Sequence, residues 1–330
     1  MSAPAVSVVM PVRDGEMYLD EAVRSILRQS LQDFEFLIID DGSRDATASM
    51  IARYAAGEDR IRVITTPPLG VVPALNRGLA EAKGRYVARM DADDVAASER
   101  FARQCAALDC DPALALIGCG WRVIDRTGSV LRLVQPPTEV VALRAALAQR
   151  NCLAHASVMM RRDAARACGG YREAFRLAED YDLWMRLSER HGIAVLPDHL
   201  LDYRQHAAQS SLSDLEQRIM SELGVHAAAA RRRENSPDDL DGPAPIDRAA
   251  LVALGLTPGE IRDGMLARAL GAAEDAVVAG HREAAQTAIR VARRQEALAP
   301  RTRLHLAWLT FRTGPRSHQD TKIDLFGTVR

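Results

Sequence analysis

The chain lacks several features that would assign it to a class at once. Its five cysteines form no Cys-x-x-Cys pair and have no histidine at zinc-finger spacing, which argues against a disulfide framework and a structural zinc site. Lysine plus arginine (43) nearly balance aspartate plus glutamate (44), so the formal charge of −1 gives no basic field for nucleic acid. The first twelve residues do not predict a signal peptide, since they lack a basic region and their apolar stretch is short, and no apolar run approaches the ~18 residues of a membrane span. We expect a cytoplasmic protein, with peripheral contact to the inner face of the membrane left open.

Glycine-rich phosphate-binding motifs are also missing. No Gly-x-Gly-x-x-Gly follows the first apolar run, and Gly-x-x-x-x-Gly-Lys-Ser/Thr does not occur. The chain therefore does not hold a pyrophosphate on a glycine-rich helix N-terminus in the manner of dinucleotide or P-loop proteins. A phosphate group bound here needs a metal ion.

Short apolar runs alternate with amphipathic patterns over the first 90 residues. Four runs predict strands, at 6–10, 34–39, 61–64 and 86–90. The stretches between them predict helices, at 18–29, 46–54 and 70–82. This alternation is typical of a mostly parallel sheet flanked by helices, in which the carboxyl ends of the strands share one edge. Ligands of open α/β sheets bind at that edge.

Acidic loops follow two of these strands, and the most crowded is "DADD". Its carboxylates Asp91, Asp93 and Asp94 lie within four positions, directly after the fourth apolar run. Like charges this close repel by roughly 1 kcal/mol in water and by more at lower dielectric, so something must offset the cost. Paired carboxylates suit Mg²⁺ or Mn²⁺. The sequence predicts a divalent-cation site, and a solvated loop that caps the next helix is the alternative.

The rest of the chain divides into a continuation of the sheet and a helical region. Strands are predicted at 115–118, 130–133 and 157–160, and the stretch 178–192 is an amphipathic helix with three acids in its first turn. We predict one domain over residues 1–214 and a helical region over 215–330. The helical region contains a linker-like segment near 231–248 and helices at about 258–279 and 281–297.

Five blocks of sequence, in order, resemble family 2 glycosyltransferases of the GT-A fold. They are "VSVVMPVRDGEMYLDEAVRSILRQSLQDFEFLIIDDGSRDAT", "ALNRGLAEAKGRYVARMDADD", "HASVMMRR", "GGYREAFRLAEDYDLWMRL" and "YRQHAAQSS". The resemblance covers about residues 5–213. It implies an inverting, metal-dependent transferase with a GT-A type sheet and an α-helical C-terminal region. Such an enzyme uses a nucleotide-diphosphate sugar and Mn²⁺ or Mg²⁺.

The resemblance also implies a nucleotide site. Asp41 matches the acid that reads a uracil-type base edge, and Asp40 lies beside it. The loop that holds base and ribose matches Pro11, Val12, Arg13 and Asp14. Further substrate-binding positions are Gly70, Ala92, His155 and Glu179. The stretch Thr66-Pro67-Pro68-Leu69 departs from the family, whose members often carry an asparagine and a basic residue there.

The same resemblance also implies the metal ligands and the general base. Asp93 matches the direct metal ligand, Asp91 a residue near ribose and metal, and His206 a histidine that completes the metal or diphosphate site in some relatives. Asp180 matches the general base. Asp182 lies two positions further on. Side chains at i and i+2 point about 200° apart on a helix, so only one of the two acids can face the cleft. The helix dipole accounts for the other, Asp182.

Two other functions stay open at this stage. A nucleotidyltransferase on a sugar phosphate also joins an α/β sheet to a metal-bound nucleotide, but Pro11–Gly15 is a poor glycine-rich basic loop. A non-catalytic nucleotide-sugar-binding module is the other alternative. No Gln-x-x-Arg-Trp block follows Trp184, which argues against a processive synthase. The donor sugar, a glycan or lipid-linked acceptor, and the linkage are not encoded in any motif.

Overall fold

The computed structural model describes residues 3–206, 214–238, 240, 242–278, 281–295 and 298–313. The strands, in chain order, are β1 (Val6–Val12), β2 (Phe34–Asp40), β3 (Ile61–Thr65), β4 (Tyr86–Arg89), β5 (Val95–Ala96), β6 (Leu114–Ile124), β7 (Val130–Val134), β8 (Met159–Arg161) and β9 (Gly192–Arg204). The helices before residue 191 are α1 (Leu19–Leu27), α2 (Thr47–Gly57), α3 (Val71–Glu81), α4 (Arg100–Cys110), α5 (Val140–Leu147), α6 (Arg162–Ala167) and α7 (Glu179–Arg190).

One sheet runs through the molecule in the order β3-β2-β1-β4-β8-β6-β9-β5, with β7 paired to β6. Strands β1 to β4 are mutually parallel, as their alternation with helices predicts. Beyond β4 the sheet is mixed, because β8 runs antiparallel to both β4 and β6. The α/β prediction with flanking helices is confirmed.

The apolar residues of the central strands are buried on both faces of the sheet, which is why the sequences of these strands are largely apolar and do not alternate strictly. One face carries Val9, Leu37 and Ile39 and packs against α3 and α7. The other carries Val8 and Ile38 and packs against α1 and α4. Sandwiched in this way, the sheet is a rigid base for the loops at its edges.

The sequence pattern does not predict strand β9. It pairs in parallel with β6 over much of its length, with register shifts around Cys119 to Trp121. Its burial pattern alternates irregularly, and Pro197 and Asp198 interrupt its apolar positions. Strand β9 brings His206, two residues beyond its end, to the same edge as the end of β4.

The C-terminal helices share one apolar core with α7. They are α8 (Leu215–Arg233), α9 (Arg248–Ala253), α10 (Pro258–Val278), α11 (Arg282–Arg293) and α12 (Pro300–Thr313). Helix α8 contacts α7, and its Ile219 and Leu223 belong to the same core as Trp184. Helix α8 continues through Arg233, so the first three positions of the linker-like segment are helical. Within the described residues, every helix is too short or too polar to cross a bilayer.

Candidate active site

The loops after β1, β2 and β4 meet at one edge of the sheet, because these strands are parallel. The clearest sign is Gly15, in the loop after β1. A Cβ atom on Gly15 would lie 2.8 Å from Val12 Cγ2 and 3.7 Å from the Cβ of Ala92. The loop after β1 is thus in van der Waals range of the "DADD" loop, and a side chain at Gly15 would clash with Val12.

The three carboxylates of "DADD" form a compact group. One oxygen atom each of Asp91, Asp93 and Asp94 can be chosen so that all three lie within 4.8 Å of one another. Asp91 forms an ion pair with Arg89, whose side chain is buried at the end of β4. Asp94 is fully buried, and its Oδ2 has no hydrogen-bond partner among the described residues. Close anionic oxygens with an unsatisfied buried acceptor fit a divalent cation.

Strand β9 completes this group from the other side. His206 Nε2 lies 2.8 Å from Asp93 Oδ2, and the backbone N–H of Arg204 donates to Asp94 Oδ1 at 2.8 Å. The His206 ring also packs on Tyr18, with ring centroids 5.1 Å apart. Burial and the charge of Asp91 raise the pKa of Asp93, while His206 opposes the shift. A cation here would relieve that repulsion.

Asp41 is buried and organises the loop between β3 and α3. The backbone N–H groups of Leu69 and Gly70 donate to its two carboxylate oxygens at 2.8 and 2.9 Å, and the Thr66 hydroxyl donates to Oδ1 at 3.2 Å. Gly70 has a φ of +99°, a left-handed conformation that favours glycine. A carboxylate has about four acceptor sites, so Asp41 retains capacity for a further donor.

The loop after β1 is fixed to the loop after β2. The Asp14 N–H donates to Ser43 Oγ at 3.1 Å, and Asp14 Oδ1 accepts from the Arg44 N–H at 2.7 Å. Asp40 is buried, and its Oδ1 accepts from the Ser43 N–H at 3.0 Å. Arg13 stays half exposed beside Asp14. The predicted nucleotide-binding positions therefore lie on adjoining loops.

Two carboxylates begin α7. Asp180 is half-buried, and its Oδ2 accepts from Asn151 Nδ2 at 3.0 Å. Burial raises the pKa of Asp180 to about 6, although Asn151 and the charge of Arg89 act against the shift. Burial and the charge of Asp180 raise the pKa of Glu179 to about 7. A carboxylate with a pKa near 6 is mostly ionised at neutral pH and is a stronger base than an ordinary aspartate.

Asp182 has a different environment from Asp180. It is fully buried, and its Oδ2 accepts from Arg172 Nε at 3.0 Å and from Arg186 Nε at 2.9 Å. The helix dipole alone does not account for Asp182, because its ion pair with Arg172 joins α7 to the segment before it and a second ion pair, with Arg186, lies within α7. Asp182 is therefore a residue that holds the fold together.

His155 lies in a short 3-10 turn before β8. Its Nε2 is 3.0 Å from the Tyr171 hydroxyl, and its ring meets that of Trp184 edge-on at 5.7 Å. Burial and the nearby charge of Arg89 hold the pKa of His155 well below its ordinary value, so the ring is neutral. A neutral imidazole can hydrogen-bond a sugar hydroxyl but supplies no charge.

Three residues near these groups are absent from the sequence-derived site. Arg89 could be identified from the sequence, because a cation within a largely apolar strand requires an acidic partner. Asn151 and Arg204 could not be identified in this way, since they reach Asp180 and Asp94 across separations of 29 and 110 positions. Only the folded chain brings them together.

On the assignment of Asp41 to the nucleotide base that the sequence resemblance implies, Asp41→Ala is expected to weaken UDP binding by about tenfold or more, because three donors of the 66–70 loop lose a charged acceptor. Mn²⁺ binding should persist, since the "DADD" group is separate. Calorimetry with UDP and Mn²⁺ measures the first effect, and Mn²⁺ titration followed by electron paramagnetic resonance measures the second. Asp59→Ala, at an exposed position before β3, is the matched control. Unchanged UDP affinity in Asp41→Ala would show that another loop recognises the base.

An α/β sheet with a carboxylate cluster after its fourth strand and a partly buried acid at the start of a later helix is the arrangement that the resemblance to GT-A type glycosyltransferases implies. The family model named Glycosyl transferase family 2 matches residues 7–169. The O-antigen biosynthesis glycosyltransferase WbnJ of Escherichia coli is 32% identical over 214 residues, covering 64% of this chain and 83% of WbnJ. The chain belongs to glycosyl transferase family 2.

Solved structures share the fold. The mannosyltransferase PcManGT of Pyrobaculum calidifontis, in complex with GDP-Man and Mn²⁺, aligns with a TM-score of 0.55 at 21% identity, covering 94% of this chain and 86% of PcManGT. S. aureus TarS 1–349, in complex with UDP-GlcNAc, aligns with a TM-score of 0.57 at 15% identity, covering 89% and 91%. At these identities the likeness establishes the GT-A type architecture.

Proposed function

We propose that this glycosyltransferase moves a sugar from a UDP-type nucleotide-diphosphate sugar to an acceptor hydroxyl, with inversion, in the synthesis of a bacterial cell-surface glycan. The observation that carries the proposal is the division of acids between two elements. One group, Asp91, Asp93 and Asp94, is clustered after β4, and a separate carboxylate with a raised pKa, Asp180, begins α7. The likeness to WbnJ, an O-antigen biosynthesis glycosyltransferase, supports a role in the synthesis of a cell-surface glycan.

Asp180 acts as the general base in this proposal. Its carboxylate takes the proton of the acceptor hydroxyl while the acceptor oxygen bonds to the anomeric carbon. The bond between that carbon and the diphosphate oxygen breaks, and the nucleoside diphosphate leaves with the electron pair. Asn151 orients Asp180 through the bond to Oδ2. Attack from the face opposite the leaving group inverts the anomeric centre.

The residues of the "DADD" loop and β9 fit Mn²⁺ or Mg²⁺. Asp93 and Asp91 would supply carboxylate oxygens and His206 an imidazole nitrogen, a donor set of hard and borderline ligands. When bound, the ion supplies Lewis-acid stabilisation of negative charge on the departing diphosphate. Asp94 fixes the loop by accepting from the Arg204 N–H. The Mn²⁺ complex of PcManGT is consistent with this assignment.

The nucleotide is assigned to the loops after β1, β2 and β3. Asp41, with Asp40 beside it, and the 66–70 loop take the base. Residues 11–14 hold base and ribose, and Ala92 leaves room for the substrate within the metal loop. His155 and Glu179 are assigned to the sugar or the acceptor. Since PcManGT carries GDP-Man and TarS carries UDP-GlcNAc, the fold is compatible with either base. The preference for uracil rests on Asp41.

A thermal-shift screen of UDP, GDP and their sugars, each with and without Mn²⁺, tests the proposal. A ligand at 100 times its dissociation constant adds about 2.7 kcal/mol of apparent stability. We expect the largest shift with a UDP-sugar plus Mn²⁺. Product analysis then separates the reactions, because a glycosyltransferase releases UDP and a nucleotidyltransferase releases diphosphate. Binding without turnover of any donor, with or without acceptor, would favour a non-catalytic module.

The transfer rate is expected to fall below about pH 6, because Asp180 must be ionised to accept a proton and its pKa is raised to about 6. Asn151→Ala should move this acid limb to higher pH, since its N–H donation stabilises the ionised form. The measurement is kcat against pH for the wild type and Asn151→Ala. The matched control is Asn235→Gly, at an exposed position whose φ of +55° glycine adopts without strain. A limb at the ordinary aspartate pKa would contradict the role of Asp180.

A further inference from the structure

Helix α12 presents an apolar stripe to the outside of the molecule. Leu304, Trp308 and Phe311 are 72%, 48% and 79% exposed, and their i, i+4, i+7 spacing places them on one side of the helix. The opposite side is buried through Leu306 and Leu309, against the neighbouring helices. The helix is therefore apolar on two faces, and within the described part of the chain only one of them is packed.

Arginines flank the exposed stripe. At about 100° per residue, Arg301 and Arg312 lie on one side of it and Arg303 on the other. All three are exposed, and Arg312 approaches the Trp308 ring at 5.8 Å. No aspartate or glutamate occurs between Pro300 and Thr313. An outward apolar stripe bordered by cations is the pattern of a helix that lies in a membrane interface.

The segment around α12 is also basic. Residues 281–313 contain seven arginines and two glutamates, whereas the whole chain has a formal charge of −1. On α11, Arg290 and Arg293 are exposed and their described hydrogen bonds go to threonine hydroxyls. The exposed arginines and the row of large apolar side chains thus lie on α12 and beside it, on the same part of the described surface.

We propose that α12 docks this protein on an anionic lipid bilayer, with the stripe of Leu304, Trp308 and Phe311 among the acyl chains and the flanking arginines at the lipid phosphates. A second copy of the chain is a poorer occupant, because a symmetric contact along the stripe would bring arginines of both copies together. Lipid phosphates complement the same charges. The inference goes beyond the proposed function and does not depend on it.

Vesicle sedimentation of the full chain tests the docking. We expect binding to phosphatidylcholine vesicles containing about 30 mol% phosphatidylglycerol, and at least about tenfold weaker binding to pure phosphatidylcholine. The combined variant Leu304→Ser, Trp308→Ser, Phe311→Ser should lower partitioning to anionic vesicles by about tenfold or more. The matched control is Val252→Ser, Val278→Ser, which changes exposed apolar residues on α9 and α10 and should bind like the wild type.

Two further variants separate the contributions. Arg301→Gln with Arg312→Gln should weaken binding to anionic vesicles by about tenfold and leave binding to neutral vesicles unchanged. Trp308→Phe should retain binding but lose the blue shift of tryptophan fluorescence that accompanies insertion. Trp184 is buried in the core and should not report this change.

Several results would overturn the proposal. They are equal binding by the wild type and the Ser variant, loss of binding in the α9 and α10 control, and no binding to anionic vesicles at all. A wild type that is dimeric by light scattering, with a monomeric Ser variant and no vesicle binding by either, would assign the stripe to a second copy. Donor binding measured on the same preparations keeps this test separate from that of the transferase reaction.

Discussion

Asp93→Asn is expected to abolish transfer and its dependence on Mn²⁺ together. The amide keeps the shape of the side chain but removes the anionic oxygen that faces Asp91 and Asp94 within the cluster. A neutral ligand binds a hard divalent cation far less well than a carboxylate. The measurement is the rate of UDP release against Mn²⁺ concentration, together with direct Mn²⁺ binding.

The matched control for this variant is Asp163→Asn. Its side chain is 83% exposed at the start of α6 and pairs only with its neighbour Arg162 among the described contacts. Wild-type turnover and Mn²⁺ response are expected. The Asp93 variant should fold normally, because the metal loop is also held by the bond from the Arg204 N–H to Asp94. Wild-type Mn²⁺ dependence in Asp93→Asn would show that the metal is held elsewhere.

Asp180→Asn is expected to lower the turnover of transfer by roughly 10²–10⁴-fold, the usual contribution of a general base. The amide accepts no proton at neutral pH, so the acceptor hydroxyl stays protonated during attack. Affinity for UDP and Mn²⁺ should be retained, because Asp180 lies on α7 and not on the nucleotide loops. Single-turnover kinetics with calorimetry of UDP distinguishes a loss of chemistry from a loss of binding.

Asp182→Asn provides the contrast two positions away. Loss of one partner from a buried ion pair costs roughly 3–5 kcal/mol of folding free energy, because the remaining charge stays buried. We therefore expect a lowered unfolding temperature with nearly normal turnover in the fraction that folds. If Asp182→Asn is too unstable to assay, Asp180→Asn still decides the question. Near-normal turnover in Asp180→Asn would remove this residue from the base role.

The first half of the sheet is predictable from sequence because its signals are local. Strands β1 to β4 are short, largely apolar stretches of four to seven residues, and amphipathic helices separate them. Alternation of this kind specifies parallel pairing and places the loops after β1, β2 and β4 at one edge. Strand β9 has no comparable signal, since its interrupted pattern becomes a strand by pairing with β6, more than seventy positions earlier.

The roles of neighbouring acids separate only in the folded molecule. Asp180 and Asp182 both read as first-turn acids of a helix, and sequence alone favours Asp180 through a family resemblance. The structure distinguishes them by their partners, which are an asparagine for Asp180 and two arginines for Asp182. The same is true of Asp94, whose role in fixing the metal loop depends on a strand far along the chain.

The sequence by itself determined the alternation of strands and helices, the clustering of carboxylates after β4, and the likeness that assigns the chain to its family. These are properties of residues close together in the chain, where periodicity and spacing report directly on structure. The tertiary structure alone decided the pKa of Asp180, the engagement of Asp41 by the 66–70 loop, and the outward direction of the stripe on α12. Each of these depends on burial and on contacts between distant segments, because the free energy of a charge or an apolar surface is set by what surrounds it in space.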